Sequence, residues 1–142
     1  SSAASDVYKR QEPESPIKEE TDVFVLGSTG AGGGHGEAAG AEPLTFINNV
    51  YLSKKIVKIS MEIQLTSKGL EKKIKEAYPA EAAAKMVEIK DVINIIISSK
   101  TEEQLNGAEN KEKLKEALKK GIEEIVGEGR VVRINFTEFI MQ

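Results

Sequence analysis

Residues 57–65 read VKISMEIQL and alternate apolar and polar side chains without a break. Val57, Ile59, Met61, Ile63 and Leu65 share one side, and Lys58, Ser60, Glu62 and Gln64 share the other. Successive side chains of an extended chain point to opposite faces, so the pattern predicts a strand with one buried and one solvated face. Each apolar side chain placed in a core is worth roughly 1.5–3 kcal/mol. Every other element has to be arranged around this strand.

Upstream, LTFINNVYL (residues 44–52) is apolar and β-branched enough to be a partner strand, and Ser53, Lys54 and Lys55 offer the turn between the two. Downstream, residues 70–78 have a helical pattern that Pro79 ends or restarts. From Ala80, the apolar residues Ala82, Met86, Ile89, Ile93 and Ile96 recur at steps of three and four, predicting one amphipathic helix to about Ser99. Thr101 and Gln104 form a capping box that opens a short helix, which Asn106 and Gly107 stop. Residues 111–126 resume with Leu114, Ala117, Leu118, Ile122 and Ile125 inward and Gly127 as the stop. Gly121 lies on that apolar stripe, which implies a closely packed neighbour. In the last twelve residues, VVRINFTEFIMQ, Val132, Ile134 and Phe136 alternate with polar residues. The phase then slips, so either a bulge sits near Glu138 or the strand's end is covered on both faces. Strand, strand, helices, strand is an α+β layer: a small β-sheet packed with amphipathic helices.

Charge divides the chain. Residues 12–43 carry seven acids against Lys18 alone, and residues 44–142 carry 17 basic against 15 acidic residues. Seven of the twelve glycines lie between Gly27 and Gly40, and three of the four prolines precede residue 44. The first stretch is therefore expected to be a flexible, acidic linker, and 44–142 the folded domain. The short VFVL run at 23–26 is either an edge strand or the least polar part of the linker. Residues 1–11, SSAASDVYKRQ, resemble a translated sequencing adapter and are set aside. The net charge of −3 is too small to argue for nucleic acid, and a chain without cysteine has no disulfide or thiolate chemistry.

The glycine run poses the one question about catalysis. Gly27 and Gly32 have the spacing of a phosphate-binding loop, but Gly33 and Gly34 stand where the lysine and hydroxyl are needed. Gly36, Gly40 and Pro43 oppose the helix that such a loop must feed. His35, the chain's one histidine, has no ligand or nucleophile partner nearby. Ser98, Ser99 and Lys100 lack the S-x-x-K spacing of a serine–lysine dyad and read as a helix end. The adjacent pairs Glu102–Glu103 and Glu123–Glu124 diverge on a helix. Lys111 to Lys120 is a basic-leaning face without interleaved aromatics. No catalytic, cofactor or metal site is expected.

Two runs, in order, resemble the flagellar basal-body-associated FliL family. MVEIKDVINIIISSKTEEQL (86–105) is similar to the family's M-P-x-I-R-D-A-I-L-L-L-L-S-S-K-T-x-E-x-L, and INFTEFIMQ (134–142) to its closing V-x-F-T-E-F-V-V-Q. The matching positions include Ser98, Ser99, Lys100 and Thr101, then Thr137, Glu138 and Phe139. Val87 replaces the family proline and Lys90 the arginine, and LTSKGLEKKIKEAYPAEAAAK is longer than expected between strand and main helix.

The resemblance implies a stomatin-like (SPFH, band 7) domain in the periplasm behind a single inner-membrane helix that this sequence lacks. It further implies a non-enzymatic, homo-oligomeric ring around stator units of the MotA/MotB type, stabilising them in support of motility or swarming. The polar strand face, Lys58, Ser60, Glu62 and Gln64, is the candidate subunit contact. Two other readings stay open: an enzyme that uses the glycine loop, and a stomatin-like scaffold for a non-flagellar complex.

Overall fold

A computed structural model describes residues 22–27 and 44–142. The adapter-like start, most of the glycine run and His35 lie outside the described residues.

The alternating strand is the centre of the fold. It forms β3 (Ile56–Thr66), to which β1 (Val23–Leu26), β2 (Leu44–Asn49) and β4 (Val131–Met141) all pair antiparallel. β4 covers one edge of β3 along most of its length. The other edge is shared end to end. Leu26 stands opposite Ile63 and Leu44 opposite Met61, so β1 and β2 are two segments of one edge. Gly27 follows β1 with φ +82°; a Cβ there would lie 2.8 Å from the Met61 carbonyl oxygen. The VFVL run is thus an edge strand, and it falls inside the 12–43 stretch expected as linker. Its inward side chains, Phe24 and fully buried Leu26, dock it on the core. Asp22 is ion-paired with Lys75, and its carbonyl accepts the Ser67 amide at 2.8 Å.

All four helices lie on one face of the sheet. They are α1 (Lys72–Ala84), α2 (Met86–Ser98), α3 (Glu102–Leu105) and α4 (Ala108–Val126). Pro79 sits inside α1 and does not end it. The helix there is held by tertiary contacts: Tyr78 stacks edge-on against Phe24 at 5.7 Å and donates to the Val126 carbonyl at 3.0 Å. The one long helix expected from Ala80 to Ser99 is instead two, broken at Lys85, whose amide bonds back three residues to Ala82 and whose ammonium reaches the Ile125 carbonyl. Ile89, Ile93 and Ile97 are buried as α2's inner stripe, with Val92 and Ile96 against α4. Close packing at Gly121 is present: a Cβ would lie 3.1 Å from Ile96 Cδ1. Gln104 and Thr101 make both bonds of the capping box.

The phase slip in β4 is a bulge. Phe136 pairs with Met61 and Glu138 with Ser60, leaving Thr137 as the extra residue. Phe136 and Phe139 therefore both face inward, where Lys115 and Lys111 of α4 lie over their rings at 5.2 and 4.6 Å. A second shift between Gln64 and Leu65 brings Val131 inward and leaves Val132 exposed, the reverse of the simple alternation.

Candidate interaction surface

The helix-free face of the sheet carries Lys58, Ser60, Glu62 and Gln64 in a line, as their alternation requires. Ser60 is the knot of this face: its hydroxyl is 2.9 Å from Thr45 Oγ1 and donates to Glu138 Oε1 at 3.2 Å. Lys58 Nζ is 3.5 Å from the same carboxylate oxygen. Glu138, from the second motif run, thus joins β4 to β3 on the open face. Thr137 beside it makes the bulge, and Phe139 turns under Lys111.

The first motif run does different work. Ser98 and Ser99 donate to the carbonyls of Ile95 and Ile96, at 3.2 and 2.7 Å, so both hydroxyls close the end of α2. The Lys100 carbonyl accepts the Tyr51 amide at 3.0 Å, and Thr101 caps α3. Residues 98–101 are the bracket on which the β2–β3 turn sits. Glu102 completes it by accepting from Ser53 Oγ and pairing with Lys55 at 3.5 Å. The Ser53 hydrogen bond, with Lys55 beside it, holds the Glu102 carboxyl below the usual carboxylate range. The two motif runs are not brought together into one site; each braces a different part of the sheet.

The sequence places Val50, Tyr51 and Leu52 in the strand and the turn at 53–55, because VYL continues the apolar run. The chain bends earlier, at Val50, and Leu52 takes φ +60°. Tyr51 and Leu52 are 51% and 82% exposed, so two residues expected in a strand project into solvent.

Among the described residues no three His, Cys, Asp or Glu side chains are grouped to hold a metal ion, and no helix is long and apolar enough to cross a membrane. Each hydroxyl or carboxylate of the motif runs that forms a hydrogen bond does so within the scaffold, as the bonds above show. Glu123, from the adjacent acidic pair, accepts the Val131 amide at 3.1 Å and so anchors the start of β4.

The family described as flagellar basal body-associated protein FliL matches residues 43–142, nearly all of the sheet-and-helix domain. The chain is also 32% identical over 85 residues to a flagellar protein FliL of Aquifex aeolicus (strain VF5), covering 60% of this chain. That alignment spans 48% of the relative, so the chain corresponds to about half the length of the curated protein it matches. The matched segment begins at β2 and runs to the last residue, and it contains both motif runs and the turn that the first of them brackets. On that match the chain belongs to the FliL family of flagellar basal-body-associated proteins.

Proposed function

We propose that this chain is the extramembrane part of a flagellar protein that stands beside the motor's stator units and stabilises them, acting without catalysis. The observation that carries the reading is the family match across the folded domain, which assigns the chain to the flagellar basal body. In this reading an N-terminal membrane helix holds the domain in the periplasm. Residues ahead of β1 form the tether, and copies assemble into a stomatin-like ring around stators of the MotA/MotB type. The open sheet face with Lys58, Ser60, Glu62 and Gln64 is the subunit contact. A helix-free antiparallel face is free to pack against another sheet.

The test is complementation. Residues 12–142 are placed behind a single membrane helix in a motile host whose own FliL gene is deleted. Restored swimming and co-purification of the stator subunits support the reading. An assembled oligomer that restores nothing and brings down no stator favours a scaffold serving a non-flagellar complex. Charge reversal at Lys58 and Glu62 then tests the contact face, because unchanged oligomer size and stator binding would remove it.

A further inference from the structure

Ten large apolar side chains are exposed among the described residues, and five of them sit at one end of the open sheet: Ile47, Tyr51, Leu52, Ile56 and Ile140. Ile47 and Ile140 flank Lys58 on either side, and Ile56 is two residues away on the same face. The turn 50–55 projects beyond them. Clustering of this kind marks an interaction surface; the three isoleucines border the face given above to subunit contact, and Tyr51 and Leu52 lie past it in the turn.

The turn is built rather than loose. Val50 N donates to the Lys55 carbonyl at 2.9 Å, Ser53 N to the Val50 carbonyl at 3.1 Å, and Lys55 N to Ser53 Oγ at 3.0 Å. Tyr51 N and Ser53 Oγ tie it to Lys100 and Glu102 on the helix side. Within that frame Leu52 has a left-handed backbone, which a bulky residue adopts at a cost, and its exposed side chain recovers none of it through packing. Lys54 and Lys55 follow in the same turn, Lys100 meets it through its backbone carbonyl, and Glu102 engages Lys55 and Ser53.

We propose that this turn is a membrane-surface anchor for an anionic bilayer: Leu52 enters the hydrocarbon boundary, Tyr51 sits at headgroup depth, and Lys54 and Lys55 meet the lipid phosphates. Two exposed residues, a leucine and a tyrosine, followed in sequence by two lysines supply the residue types that a lipid interface takes: an apolar tip, an amphipathic ring and cationic heads. The turn is held by its own hydrogen bonds and leaves Leu52 82% exposed, so the apolar side chain is presented without rearrangement. One such anchor binds weakly, and lasting attachment takes a second signal. Here the proposed N-terminal membrane helix supplies it, and to that extent the inference rests on the functional reading.

The chain has no tryptophan and no cysteine, so a single reporter and a single tether are free of background. Leu52→Trp and, as control, Ile95→Trp on the exposed side of α2 are each held by an added N-terminal cysteine to maleimide-lipid vesicles. The vesicles contain phosphatidylglycerol in phosphatidylcholine, or phosphatidylcholine alone. The expected result is a blue shift of Leu52→Trp emission and its quenching by brominated lipid on the anionic vesicles only, with Ile95→Trp unmoved. Lys54→Glu with Lys55→Glu lowers untethered partitioning by at least about tenfold. The proposal is overturned by unchanged Leu52→Trp emission, by equal shifts on both vesicles or at both positions, or by a shift without lipid quenching, which reports burial against protein. Since the tether is artificial, these outcomes are independent of whether the natural chain carries a membrane helix.

Discussion

The buried hydroxyl of Tyr78 donates to the carbonyl of Val126 at 3.0 Å, joining the middle of α1 to the last residue of α4 across 48 positions of sequence. Val126 is at the C-terminal end of its helix, where carbonyls lack intrahelical partners. One side chain thus satisfies a helix end and keeps a proline-containing helix on the core. Tyr78→Phe leaves that carbonyl unpaired in a buried site and should lower unfolding free energy by about 1–3 kcal/mol in urea denaturation.

The same residue predicts an alkaline effect. Burial raises the Tyr78 phenol above its ordinary value of 10.0, a rise that nearby Arg130 partly offsets. A folded-state pKa above the unfolded one means the folded chain holds the proton more tightly. Stability from this group is complete below pH 10 and falls as pH rises through the folded value. Tyr78→Phe should flatten that part of the stability–pH curve. An unchanged alkaline slope in the variant would reject the assignment.

Gly27 and Gly121 should respond differently to alanine. At Gly27 the new Cβ would press on backbone, the Met61 carbonyl oxygen at 2.8 Å, and φ is +82°. Gly27→Ala should therefore detach β1 and speed hydrogen exchange at Ile63, Leu65 and Ser67, whose amides face that edge, while Thr66, bonded to the Arg130 carbonyl, stays protected. At Gly121 the nearest atom is Ile96 Cδ1 at 3.1 Å, the end of a side chain that can shift. The helix-propensity gain of about 1 kcal/mol offsets that contact, so Gly121→Ala should be near neutral. Gly121→Val should cost about 1–3 kcal/mol by overpacking against Val92 and Ile96. Thermal melts and exchange separate the three variants.

Thr137 is an extra residue in β4, so its removal preserves the phase. Without it Phe136 still faces inward, Glu138 outward and Phe139 inward, as now. Deleting Thr137 should leave a folded domain within about 1–2 kcal/mol of the parent. Deleting Asn135 also absorbs the bulge but turns Phe136 to the open face and Thr137 to the core, so it should cost clearly more than deleting Thr137. Equal damage from both deletions, read by circular dichroism and melts, would contradict the register.

Glu102 should titrate below the ordinary carboxylate range in a carbon-detected NMR titration, and Ser53→Ala should move it upward. Because the folded value is depressed, the bond braces the turn above the unfolded value of 4.5 and is lost as pH falls through the folded one. A titration unmoved by Ser53→Ala would assign the shift to Lys55 instead.

Much of this architecture is local and so could be read from the chain alone. Alternation at 57–65 announced β3, and Thr101 with Gln104 announced the cap, because each depends on residues within a few positions. Steps of three and four announced Ile89, Ile93, Leu114, Leu118 and Ile122 but ended the stripes at Ile96 and Ile125, where the structure buries Ile97 and Val126. The slip after Phe136 likewise announced its bulge. Tertiary structure decided what depended on distant partners. Pro79 weakens a helix locally, but Phe24 and Val126, far away in sequence, hold that helix together through Tyr78. VFVL is too short to be a strand by itself and became one when the free edge of β3 accepted its backbone and the core buried Leu26. Tyr51 and Leu52 have the composition of a strand, and it is the bracket at 98–101 and Glu102 that turns the chain early and leaves them in solvent. Local pattern records which face of an element is apolar. What covers that face, and what lies uncovered, follows only when the elements meet.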